Sequence, residues 1–143
     1  MLTDMTEPTE PTVERAVELD APVDVVWSAL TDADAMSAWF GGQVSLDAVP
    51  GGEGRFDLDE GGARRARVDE VEPGRRLSWR WWDEHDDDGP ITAVTFELTG
   101  LGARTRLVVT ERPILMGSPR VSSDVIGRGL RRLQMCAGVP VGV

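Results

Sequence analysis

Trp79, Trp81 and Trp82 bring three of the chain's five tryptophans together, and His85, the single histidine, follows them inside a run of carboxylates. Indole rings at this spacing could stack on nucleobases, line an apolar pocket or fill a core. A nucleobase platform needs exposed rings beside a basic groove. Arg75, Arg76 and Arg80 are near, but the acids between 83 and 88 repel phosphate, and the net charge of the whole chain is −10. Nucleic acid is therefore excluded as a dedicated partner. His85 is a candidate acid or base if its loop lies at a cavity mouth. It is a poor metal ligand, because Asp83, Glu84, His85 and Asp86 are consecutive and cannot all converge on one ion. A solvated loop is the simpler reading, and no metal is expected.

Glu111 is the other acid–base candidate. If Leu107 and Val109 face the interior, strand alternation carries Glu111 to the same face, where desolvation would raise its pKa. The simpler reading pairs it with Arg112 or Arg120. Cys136 is the only cysteine, which rules out an intramolecular disulfide and a CxxC metal clip, and a small buried hydrophobe is expected there. No GxSxG, HExxH, P-loop or GxGxxG pattern occurs, and Ser118 in "MGSPR" lacks a following glycine. No cofactor is expected.

The elements that must position these residues can be read from periodicity. Residues 1–11 are polar and proline-bearing and are expected to form a disordered leader. In "TVERAVELD", Val13, Arg15, Val17 and Leu19 alternate with Glu14, Ala16 and Glu18, as in a half-buried strand. "APVDVVWSALTD" places Val23, Val26, Trp27 and Leu30 on one helical face after Pro22. Thr31 or Asp32 caps a second short helix, "ADAMSAWF", which Gly41 and Gly42 end. From Gln43 to Arg112 the chain reads as strands punctuated by "PGGEG", "GG", "PG", "EHDDDGP" and "GLGA", an antiparallel meander. From Ser122 or Ser123 to Ala137 the period becomes helical, and "GVPVGV" (138–143) forms a tail.

Alternation divides the tryptophans. Leu77, Trp79 and Trp81 share one face of their strand, and Trp82 lies on the other with Ser78 and Arg80. Val94, Phe96 and Leu98, then Leu107 and Val109, offer matching apolar rows, as do Phe56 and Leu58. One reading packs all of these against the last helix; the other makes them the wall of a cavity of a few hundred Å3. Trp82 is then a question of surface or interface.

All fifteen basic residues are arginine, and Lys, Asn and Tyr are missing, a bias that a GC-rich bacterial genome explains. No apolar run approaches the roughly 18 residues of a membrane span, and the acidic N-terminus is unlike a signal peptide. A cytoplasmic protein without membrane insertion is expected.

The segments "DAPVDVVWSALTDADAMSAWFGG" (20–42), "VDEVEPGRRLSWRW" (68–81) and "TAVTFELTGLGARTRLVVT" (92–110), ahead of a terminal helix, resemble the START/Bet v 1-like superfamily, also called SRPBCC or helix-grip proteins. Within it the chain is similar to homologues of the C-terminal domain of the activator of heat-shock-protein-90 ATPase. The resemblance implies an α+β helix-grip fold over about 12–137: a strongly curved antiparallel sheet of about six or seven strands around a long C-terminal helix. It departs from relatives at "RPILMGSPRVSSD", where many carry a Trp-rich segment.

The resemblance also implies an apolar cavity between sheet and helix. Trp39, Phe40, Phe56, Leu58, Val68, Trp79, Trp81, Val94, Phe96, Leu107, Val109, Val125, Ile126 and Leu130 are its expected lining, and a small hydrophobic or amphipathic molecule its expected occupant. The function expected is non-enzymatic binding. A cyclase or hydrolase using the same cavity, and a module that engages a chaperone, stay open as alternatives. A homodimer through the Trp82 face is the remaining partner reading.

Overall fold

The computed structural model describes residues 12–59, 62–86, 89–114 and 126–134. Strand β1 (Val13–Leu19) leads into helices α1 (Val23–Thr31) and α2 (Ala33–Phe40). Six further strands follow: β2 (Gly42–Leu46), β3 (Glu53–Leu58), β4 (Gly62–Glu72), β5 (Arg76–Asp83), β6 (Ile91–Leu101) and β7 (Arg104–Pro113). Residues 126–134 are helical and are labelled α3. The strands form one curved, open sheet in the order β1-β7-β6-β5-β4-β3-β2, every neighbour antiparallel. The meander expected from the turn signals is thus present, with β1 added beside the last strand.

Local chemistry explains the boundaries. Pro22 caps α1 from an extended conformation, with the helix beginning one residue later than Pro22 itself. The Asp32 carboxylate accepts the Ala35 N–H at 2.9 Å and so starts α2. Gly41 ends α2 at φ +84°, in the left-handed region that glycine enters without strain. The β6–β7 hairpin is tighter than "GLGA" suggests, because the strands run on to Leu101 and restart at Arg104. Strand β2 stops at Leu46, earlier than its alternation suggests, where the Asp47 N–H turns back to the Glu53 carbonyl.

The core lies between the concave face of the sheet and the helices. Val26 and Leu30 of α1, Met36, Trp39 and Phe40 of α2, and Ile126, Leu130 and Leu133 of α3 join the inward strand residues in one apolar cluster. The Trp39 indole donates to the Ala29 carbonyl at 2.8 Å, tying α2 to α1. Arg132 on α3 donates to the Trp39 and Phe40 carbonyls at the end of α2. Gly129 lets α3 approach closely, since a Cβ there would lie 2.9 Å from the Trp39 ring. The buried Thr105 hydroxyl donates to the Ala21 carbonyl and holds the β1–α1 corner on the sheet.

Candidate ligand-binding site

Register sets the concave face out in rows. Leu77, Phe96, Val109 and Arg15 are cross-strand neighbours in one row. Val68, Trp79, Val94, Glu111 and Val13 form the next. Ala66, Trp81, Thr92 and Pro113 follow, and Phe56, Arg64 and Asp83 close the series. A β-bulge between Val68 and Glu70 changes the parity of β4, so that Val71 as well as Val68 packs inward.

The rings on this face form a continuous wall. Trp39 stacks on Phe40 at 4.2 Å between centroids, and Phe40 meets Phe56 edge-on at 5.1 Å. Phe56 reaches Trp79 at 5.3 Å and Trp81 at 5.1 Å, while Trp79 lies 4.9 Å from Phe96. Leu58, Val68, Val94, Leu107, Val109, Ile126 and Leu130 are buried in the same cluster. The residues expected on the concave face are therefore brought together, apart from Val125, which lies outside the described residues with Ser118, Arg120 and Cys136.

The Trp79 indole N–H is buried without a hydrogen-bond partner in the centre of this wall. Native proteins leave only a few such groups unpaired, because an unmade buried hydrogen bond costs about 1–3 kcal/mol.

Polar groups interrupt these rows. Arg64 is only 6% exposed, and its guanidinium lies over the Trp81 ring with Cζ 4.7 Å from the centroid. Its Nε is buried and has no hydrogen-bond partner. Burial lowers the Arg64 pKa from its ordinary value, and the charges of Asp83 and Glu111 partly restore it. Thr92 and Glu111 are buried on the same face, so alternation places Glu111 inside as expected. Arg64 is not among the lining residues expected from the sequence. The signal was the alternation of Arg64, Ala66 and Val68, which carries an arginine to the apolar face of β4.

His85 is exposed on the turn after β5, its backbone N–H donating to Asp83 Oδ1 at 2.8 Å. Glu84 beside it pairs with Arg55 at 2.7 Å. That bond and the Arg55 charge hold the Glu84 carboxyl below its usual pKa and raise that of Arg55. Among the described residues no three His, Cys, Asp or Glu side chains are grouped as metal ligands. Trp82 is half-buried on the convex face, where it lines a recess of about 240 Å3 with Arg67, Arg80 and Ile91.

An antiparallel sheet curved around a C-terminal helix, with two short helices after the first strand, defines the helix-grip architecture of the SRPBCC superfamily. A family model described as "Activator of Hsp90 ATPase homolog 1-like protein" matches residues 20–134. The chain belongs to that family. Among solved structures it is similar to DynU16, from the dynemicin biosynthetic locus, with 32% identity and a TM-score of 0.75 over 90% of this chain and 47% of that one. The chain thus spans about half the length of DynU16.

CalU16 from Micromonospora echinospora is 27% identical with a TM-score of 0.69, over 90% of this chain and 76% of that one. PFC0360w, an HSP90 activator from Plasmodium falciparum, shares the fold at a TM-score of 0.75 with 19% identity, over 90% of this chain and 97% of that one. None of the curated proteins matches the sequence.

Proposed function

We propose that the protein binds a small apolar or amphipathic molecule against the concave face of the sheet, beneath α3, without transforming it. The observation that carries this reading is the unpaired indole N–H of Trp79, buried among Phe40, Phe56, Trp81 and Phe96. A ligand bearing one acceptor satisfies that donor while its apolar body lies against the rings. Apolar burial contributes about 25 cal/mol per Å2 before the costs of association. The relation to DynU16, whose locus is biosynthetic, supports a small molecule as the occupant.

The neutral fluorophore N-phenyl-1-naphthylamine provides a test, with native mass spectrometry against lipids and polyketides beside it. Saturable one-to-one binding with a blue-shifted emission is expected. Loss of all saturable binding across the set would remove the reading.

Family membership favours a second reading, a chaperone-linked role, because the family is described by its relation to an activator of the Hsp90 ATPase. Stimulation of a purified Hsp90-type ATPase by this chain would support it, and an unchanged rate would oppose it.

A further inference from the structure

Resting on the ligand-binding reading, we propose that the bound molecule is an anion whose head group sits on Arg64, with its apolar body running along Trp81 and Trp79. Arg64 presents five N–H donors in a planar fork that matches a carboxylate or sulfonate. Its Nε is buried and unpaired. The ring of Trp81 covers the guanidinium at 4.7 Å and supplies cation–π attraction, which leaves the N–H groups for another partner. Among the described residues no carboxylate takes that place. Glu111 stands on β7, three strands from β4, and Asp83 is the cross-strand neighbour on β5. Both act on Arg64 through their fields, and the guanidinium forms no ion pair with another described residue.

A buried cation without a contacting anion is costly, and burial alone offers no reason to keep it on an apolar face. An anionic head group removes that cost on binding, so its charge adds to affinity. The unpaired Trp79 N–H, on the neighbouring inward position of β5, then meets an acceptor further along the same molecule.

The test compares two probes with one aromatic skeleton: N-phenyl-1-naphthylamine, which is neutral, and 8-anilinonaphthalene-1-sulfonate, which adds a sulfonate. The full chain is expected to bind the anion about tenfold or more tightly than the neutral probe. Arg64→Gln is expected to weaken the anion by about tenfold and to leave the neutral probe within about twofold. Arg80→Gln, on the convex face, is expected to change neither.

Neutral binding with no preference for the anion, equal weakening of both probes by Arg64→Gln, or loss of the anion in Arg80→Gln overturns the inference and leaves the ligand-binding reading standing. Absence of binding by either probe overturns the inference, and the ligand-binding reading falls with it only if the lipids and polyketides also fail to bind. If circular dichroism shows that Arg64→Gln is unfolded, Arg64→Lys replaces it. Selective weakening of the anion, through loss of the planar fork, supports the inference, and equal weakening of both probes overturns it.

Discussion

The two faces of the sheet treat arginine in opposite ways. On the convex face Arg76 reaches both Glu70 and Glu97, at 2.9 and 2.7 Å, Arg80 meets Asp69 at 3.1 Å, and Arg104 meets Glu18 at 3.0 Å. These side chains are substantially exposed, so water and salt screen the pairs and each contributes about 0–1 kcal/mol. On the concave face Arg64 is buried, stacked on Trp81, and has no contacting carboxylate among the described residues. Among the described residues, partners are abundant where they matter least and missing where one matters most. The convex arginines keep an acidic protein's outer surface in local balance. On the proposed reading, Arg64 is held for an anion that arrives from outside.

Substitutions on each face sharpen that contrast. Phe56→Ala removes the ring that touches Phe40, Trp79 and Trp81, and chemical denaturation should show a loss of about 3–5 kcal/mol. Arg64→Met replaces a buried charge by an apolar chain of similar length. Stability of the unliganded protein should rise, on the order of 1 kcal/mol, as a higher melting temperature. A fall of several kcal/mol would instead make Arg64 a structural residue.

Arg76→Gln should cost less than about 1 kcal/mol at low salt and nothing measurable at high salt. The smallest effect concerns Glu84, whose carboxyl titrates below its ordinary value of 4.5 because Arg55 hydrogen-bonds to it. A lowered folded-state pKa gives stability that is present above 4.5 and is lost as the pH falls through the depressed value. Glu84→Gln should therefore lower stability slightly at neutral pH and flatten the acid limb, so that the two profiles converge as the pH falls through the depressed value, as thermal melts across that range would show.

Alternation made much of this architecture legible. The phase of Leu77, Trp79 and Trp81 against Val94, Phe96 and Leu98 separates Trp82 from its neighbours, and the structure buries the first two tryptophans and leaves the third half-exposed. Glu111 follows the same rule. Arg64 obeys it too, yet a charged side chain in "ARRARVDEVE" reads as solvent-facing when each residue is judged by type rather than by phase. The bulge in β4 is harder to see. Val68 and Val71, three apart, cannot share a face of a regular strand, so their joint inward packing requires the slip between Val68 and Glu70. What lies opposite Arg64 is not written in local periodicity, because it depends on how far the sheet curves.

The most direct test of the concave-face account is a 1H–15N correlation spectrum of the five indole N–H groups during titration with N-phenyl-1-naphthylamine. The Trp79 resonance should shift progressively as its unpaired donor meets a new environment, with Trp81 moving beside it and Trp82 unmoved. Shifts confined to Trp82, with Trp79 stationary at saturation, would place the ligand on the convex face and contradict the account.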